Sequence, residues 1–390
     1  MVKNRNLIDW FIFLPFIALC VIGVVMVYSA SAGINMQNGG NPTSYLIKQL
    51  LYAVIGLICV TYFANTPLGT FRTVKFRNWS TLIMVGSLVL VLLIGSRING
   101  ARGWINLGII NVQPAEFCKL YLILFLSDRL EVFKARSGHF LTDGKPAVKI
   151  IGVFSILLIL IGIQPDTGGL AINLAIGLII WLACDVKSSY SVRFILGCIA
   201  LLIIGIPIIV QAGLISGYRA ERFTAYMNPF GNVSGSGSQL VNSYYAISNG
   251  GVFGVGIGNS IQKMGYLPEP NTDFIMSIIA EELGAIGVTV ILVLLVTLIC
   301  RTIIIGIRSR YLYDTLICYG VAAFIFIETS FNVGGVLGVL PITGVTFPFI
   351  SYGGSSMIVL SSAMGLVLNI SMKQKRQKAE LAQTTGADYL

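Results

Sequence analysis

The stretch YLPEPNTDFIMSIIAEELG, residues 266–284, sets Glu269, Asp273, Glu281 and Glu282 around the mouth of an apolar run. An ionisable side chain inside a bilayer costs about 2.5–3.5 kcal/mol or more, so each such residue is a candidate for chemistry. Others sit in comparable places: Arg102, Trp104, Glu116 and Lys119 in NGARGWINLGIINVQPAEFCKL, Asp166 in QPDTGG, and Arg219 and Arg222 in SGYRAERFTAYMNPF. Arg219 and Arg222 are three apart and project from one side of a helical turn. Paired guanidiniums suit the oxygens of a diphosphate, although a pair facing lipid headgroups has the same spacing. Glu116 and Lys119 share a helix face, either as a structural ion pair or as part of a site. Trp104 taken alone also fits an interfacial aromatic belt.

Asp273 follows the turn-forming LPEPNT, where Thr272 or Asn271 could cap the helix that begins there. Glu281 and Glu282 lie about 12–13 Å further along that helix, pointing other ways, and are assigned to interhelical hydrogen bonding. The one histidine, His139, falls in a loop on the opposite face, so a general base on the Asp273 side has to be a carboxylate. One carboxylate among several cations suits a particular reaction. Glycoside hydrolysis normally needs two carboxyl groups. A sugar already linked to a diphosphate has a good leaving group and needs one base, plus positive charge for the departing oxygens.

The elements that must position these groups follow from composition. Of 390 residues, 55% are hydrophobic and 11% charged, where a soluble domain carries about 25% charged. Apolar runs recur near 8–31, 45–64, 79–96, 114–128, 150–164, 168–184, 193–212, 273–300, 315–336 and 348–370, and in lipid such runs fold as helices. The expectation is an all-α polytopic integral membrane protein of about ten spans. The first run is too long for a cleaved signal peptide and lacks a cleavage site, so it is read as a retained span. Of the 26 Lys and Arg, only Lys48, Arg97, Arg102, Lys119, Arg219, Arg222 and Lys263 escape the loops that face inward when both termini are cytoplasmic. The net charge of +10 is thus a topology signal, and nucleic acid is not an expected partner.

The long outer loop, 213–272, contains QLVNSYYAISNGG, which reads as a short amphipathic helix at the interface. Its GGVFGVGIGNS lacks the strand–turn–helix context of a nucleotide loop and reads as close packing or a re-entrant turn. The seven cysteines have no metal or redox spacing and read as small apolar residues. Residues 1–372 form one membrane domain, and the basic-to-polar tail 373–390 is expected to be disordered.

Five stretches, in order, resemble the signatures of the SEDS family (FtsW/RodA/SpoVE): NGARGWINLGIINVQPAEFCKL, QPDTGG, YRAERFTAYMNPF, YLPEPNTDFIMSIIAEELG and GVLPITGVTFPFISYGGSS. The resemblance extends over about residues 8–370. It implies a ten-span polymerase of lipid II that builds glycan strands beside a class B penicillin-binding protein and other divisome membrane proteins. It further implies that Asp273 is the essential carboxylate and base, with undecaprenyl diphosphate released and the anomeric centre inverted. Arg102, Trp104, Glu116, Lys119, Asp166, Arg219, Arg222 and Glu269 are then the substrate-binding set. No cofactor is required by the sequence, and a divalent cation, Mg or Mn, is left open. Two departures matter: Asn271 stands where members often have His, and Gly103 where many have a second Arg. The GVTFPFISYGGSS ending tilts the resemblance toward the cell-division branch, FtsW, acting at the septum. The elongation branch, RodA, and a transporter of lipid-linked precursor are the alternatives.

Overall fold

Because hydrocarbon offers backbone amides no hydrogen-bond partner, the apolar runs fold as helices. The computed structural model describes residues 7–37, 39–98, 101–106, 108, 111–137, 144–184, 225–232, 235 and 237–385. Among them are α1 (Trp10–Gln37), α2 (Ser44–Asn65), α3 (Val74–Ile94), α4 (Pro114–Ser137), α5 (Gly144–Ile163) and α6 (Thr167–Ala183). They are followed by α7 (Ser238–Gly250), α8 (Ile275–Ile307), α9 (Leu312–Val336) and α10 (Gly354–Thr385). Six of these, α1, α2, α3, α8, α9 and α10, are long and apolar enough to cross a membrane, and two shorter apolar helices lie within α5 and α6. Every described helix except α7 falls on an expected span, and α7 matches the helix expected in the long loop. The expected span 193–212 lies outside the described residues.

α9 and α10 are the most enclosed of the long helices, while α2 and α3 present much of their surface outward. α10 packs along α2, and α9 packs against α4, α6 and α8. The α2–α10 crossing is built on glycine. A Cβ on Gly365 would come within 2.8 Å of the Val60 carbonyl oxygen, and one on Gly56 within 2.5 Å of the Ser361 hydroxyl. Small residues of this kind let helix backbones approach where no hydrophobic force draws them together.

Ion pairs gather at the end where α1 and α9 begin and α8 finishes. Arg301 holds Asp9 at 2.7 Å, Ser371 donates to the same carboxylate, and Lys373 meets Asp314 at 2.7 Å. Arg72 bridges Asp128 and Glu131. Burial alone would raise the Asp9 carboxyl, but the bonds from Arg301 and Ser371 bring it below the ordinary carboxylate range. This contact is therefore intact at neutral pH and is lost as pH falls through that lowered value.

Two expectations change. The tail is not disordered up to residue 385, because α10 continues to Thr385. Good helix formers carry it, and Gln374 and Lys375 anchor it to the Ile305 and Ile8 carbonyls. The outer segment 97–113 is not plain loop either. Strands β1 (Ser96–Ile98), β2 (Ala101–Asn106) and β3 (Asn111–Val112) pair antiparallel in the order β1-β2-β3.

Gly365→Ala should cost about 1–3 kcal/mol by forcing α2 and α10 apart, lowering the melting temperature in detergent. Gly86→Ala is the control, since a Cβ there meets nothing within 4 Å. Equal melting temperatures for the two variants would refute the crossing as a close-packed seam.

Candidate active site

At the end of the bundle opposite those ion pairs, α4 starts with Pro114, whose missing amide hydrogen is no loss at a helix start. Glu116 sits in its first turn. Three residues on, Lys119 is 1% exposed and donates to Glu116 Oε1 at 2.6 Å and to Glu328 Oε1 on α9 at 2.5 Å. Its ammonium also lies 5.0 Å from the centre of the Phe324 ring. The Oε2 atoms of Glu116 and Glu328 are buried without a hydrogen-bond partner among the described residues. Two carboxylates thus share one ammonium in a site closed to bulk water. Glu328 was not among the residues singled out from sequence, though a glutamate inside the apolar run FIFIETSF was signal enough by the cost of burying it.

Beside this cluster the α5–α6 turn presents Asp166 as the N-cap of α6. Its Oδ1 accepts from the Gly169 amide at 2.7 Å and its Oδ2 from Gln113 Nε2 at 3.3 Å. Burial pushes this carboxyl above its ordinary value, against the Gly169 bond; Glu116 pushes the same way and Lys119 opposes it. Asn173 on α6 donates to the Ala115 carbonyl at 3.4 Å, tying α6 to the first turn of α4.

The sheet is fastened to the same place. The Arg102 amide donates to the Gln164 carbonyl at 3.1 Å and its guanidinium to the Leu92 carbonyl at 3.3 Å. Arg102 thereby straps β2 to α3 and to the α5–α6 turn. Trp104 lies two residues on in β2, opposite Ser96, and is half-buried. A Cβ on the intervening Gly103 would meet only the Gln113 side chain, at 3.8 Å.

Asp273 lies in the turn before α8, not in its first turn, and neither Asn271 nor Thr272 caps the helix. The N-cap position is Phe274, which makes no side-chain cap bond. The carbonyls of this turn are engaged instead. The Asn271 carbonyl accepts from the Tyr352 amide at 2.8 Å and the Thr272 carbonyl from the Ser351 hydroxyl at 2.6 Å. The Asp273 carbonyl accepts from Asn332 Nδ2 at 2.8 Å, and the same nitrogen reaches the Val345 carbonyl at 2.7 Å. Three consecutive residues are thus bolted by their main chain to α9 and to the 345–352 loop. Asn332 stands one turn beyond Glu328 on α9, so only about 6 Å of helix separates the Asp273 turn from the Lys119 cluster.

Glu269 is exposed, has a positive φ of 54°, and accepts from the Thr272 hydroxyl at 3.1 Å. It closes its own turn, away from the Lys119 cluster. Arg219 and Arg222 lie outside the described residues. Glu281 and Glu282 make the bonds expected of them. Glu282 takes the Ser29 hydroxyl of α1 and the Lys263 ammonium at 2.5 Å. Glu281 takes Asn249 Nδ2, the Ser260 hydroxyl and the amides of Ile261 and Gln262. Just beyond them α8 is interrupted at Gly284 (φ 67°, ψ −170°), where only glycine is unstrained. Segment 251–256 pairs its backbone with the exposed edge of that break. Val255 and Gly256 donate to the Glu281 and Glu282 carbonyls, and Ala285 and Ile286 to those of Gly251 and Val252.

A polytopic helical membrane protein with one buried Lys–Glu cluster at the end opposite its Asp9–Arg301 and Lys373–Asp314 pairs is the class these observations define. The family model described as "Cell cycle protein", FtsW/RodA/SpoVE, matches residues 9–376, and the chain belongs to that family. It is 39% identical over 402 residues to a probable peptidoglycan glycosyltransferase FtsW of Lactococcus lactis subsp. lactis, covering 96% of this chain and 95% of the relative. It is also 39% identical to the stage V sporulation protein E of Bacillus subtilis, covering 95% and 99%. Among solved structures, a chain of a peptidoglycan synthase complex coordinating polymerization and crosslinking superposes with a TM-score of 0.76. That pair is 26% identical, with 94% of this chain and 98% of the other covered. The rod shape determining protein RodA of Thermus thermophilus gives a TM-score of 0.68 at 25% identity, covering 95% and 99%.

Lys119→Met leaves two buried carboxylates unpaired and should cost about 3–5 kcal/mol. Adding Glu328→Gln should recover part of that loss. Melting temperatures of the single and double variants in detergent give the coupling, and strict additivity would mean the contact is energetically idle.

Proposed function

We propose that this protein is a peptidoglycan glycosyltransferase that polymerises lipid II at the outer face of the bacterial cytoplasmic membrane. The carrying observation is the family match along residues 9–376, with relatives named peptidoglycan glycosyltransferase at up to 39% identity over nearly their whole length. The end bearing Asp273 then faces outward and the ion-paired end faces the cytoplasm, as the Lys and Arg distribution favours.

In this reading Asp273 takes the proton from the acceptor sugar hydroxyl as that oxygen attacks the anomeric carbon of the lipid-linked donor. The bond to the diphosphate breaks with inversion, and undecaprenyl diphosphate leaves without needing an acid. Arg219 and Arg222 are the proposed clamp for its charge. Holding the Asp273 turn through its main-chain carbonyls fixes the backbone from which the carboxylate projects, and positioning of this kind is where a catalytic group gains most. Arg102, Trp104, Glu116, Lys119, Asp166 and Glu269 are proposed to shape and line the substrate side. Among the described residues no group of three or more His, Cys, Asp or Glu could hold a metal ion; Mg or Mn carried by one or two carboxylates and the substrate diphosphate is compatible with this scheme.

Septal synthesis in division, with a class B penicillin-binding protein and other divisome proteins as partners, is the proposed role. The FtsW names of the relatives and the synthase complex among the structural neighbours support it. A RodA-type role in elongation uses the same chemistry. Precursor transport is the second reading, favoured by the interruption of α8 at Gly284, since discontinuous helices are common in transporters.

Purified protein with labelled lipid II, with and without its partner, should yield polymer ladders. Asp273→Asn should abolish them, a loss of at least about 100-fold for a missing general base, with the melting temperature unchanged. Ladders that survive in Asp273→Asn would remove Asp273 as the base, and lipid translocation without polymer would point to the transporter.

A further inference from the structure

The loop 251–266, between α7 and the Asp273 turn, is apolar outside and bonded inside. Val252, Phe253, Ile257, Ile261, Met264 and Tyr266 are all exposed, Phe253 at 82%. The one Lys, Arg, Asp or Glu in this stretch, Lys263, is buried against Glu282 and Ser29. Apart from Asn259, the exposed side chains of the loop are apolar and none carries a formal charge, the kind of surface that marks an interaction site.

Its height is set by α8. Below the break at Gly284, α8 exposes Ile286, Val290, Val293 and Val296, a side of the helix that continues the apolar edge of the loop. The Ile286 amide donates to the Val252 carbonyl at 3.2 Å, so Val252 lies at the level of Ile286. The exposed apolar side of α8 runs from Ile286 to Ile307, about 31 Å. That matches a hydrocarbon core of about 30 Å and puts Val252 at its outer edge. Irregular backbone at that depth is tolerated when protein groups satisfy it. Here the Val255 and Gly256 amides and the Gly251 and Val252 carbonyls bond to α8, and Asn259 Nδ2 donates to the Val255 carbonyl at 3.0 Å.

We infer that loop 251–266 is a re-entrant element whose apolar edge sits among the acyl chains of the outer leaflet, continuous with the lipid-facing side of α8. Its occupant is lipid, because the Ile286–Val252 bond sets the exposed side chains of the loop beside the exposed apolar side of a membrane-spanning helix. Glu281 and Glu282 tie the loop to the half-helix that follows Asp273. The leaflet thereby sets the height of Asp273, a consequence that rests on the proposed role of that residue, whereas the seating of the loop does not.

Phe253→Trp and Ile257→Trp each add an indole at an exposed position, so packing is preserved. In proteoliposomes, the emission gained over the unmodified protein should be blue-shifted. It should be largely quenched by phosphatidylcholine brominated near the headgroup end of its chains, and less by lipid brominated near the methyl end. Added emission that neither lipid quenches, red-shifted in water or blue-shifted beneath protein, would overturn the inference. Phe253→Asp should lower polymer yield several-fold in bilayers but not in detergent. Equal yields in the two media would sever the link to Asp273 while leaving the quenching result intact.

Discussion

The shared contact of Lys119 with Glu116 and Glu328 governs how the outer half of the bundle fits together. A buried ammonium cannot be left alone, so α4 must bring it to the one face of α9 that carries Glu328. That choice sets the rotation of α9, and with it the direction of Asn332 one turn further on. Asn332 in turn holds both the Asp273 turn and the Val345 carbonyl. Buried ion pairs often add little net stability over apolar residues of the same shape. Their value here is geometric, because a slip of α9 by one residue would break the ion pair and the Asn332 bonds together.

Much of the fold was legible because lipid imposes a simple rule on backbone. Helices α1 to α6 and α8 to α10 each overlap a run visible in the hydropathy, although α4 and α10 continue well past the ends of theirs. The bonds of Glu281 and Glu282 followed from their positions on a helix wheel. The small sheet was missed because SRINGARGWINLGIINV is short, rich in glycine and asparagine, and pairs with itself without a long alternating pattern. The interruption at Gly284 was missed for a different reason. Its positive φ is stabilised by segment 251–256, some thirty residues earlier, and a partner at that distance leaves no local mark. The tail was misread because composition alone could not show the carbonyls of Ile8 and Ile305 waiting for it.

The site was legible as a set of residue types and less so as an assembly. Glu116 and Lys119 announced their pairing through spacing, but the third member, Glu328, comes from a helix two hundred residues away. Asp166 and Arg102 read as substrate-side charges in the sequence, and the fold also uses the first to cap α6 and the second to strap β2. Asp273 was singled out by its place after a turn, and the device holding that turn uses main-chain carbonyls, which no side-chain pattern encodes.

The Asp9–Arg301 contact bears on how the chain is made. The two residues are 292 positions apart, and Ser371, which shares the carboxylate, is 362 away. At about 5–20 residues per second, the ribosome takes roughly 15–60 s to deliver Arg301 after Asp9. For that interval α1 has its acid without Arg301, and its Gly23 awaits Phe349 and Ile350 for longer still. Helix α1 thus reaches these contacts tens of seconds after it is made, and until then neither its acid nor its glycine has the long-range partner it meets in the folded chain.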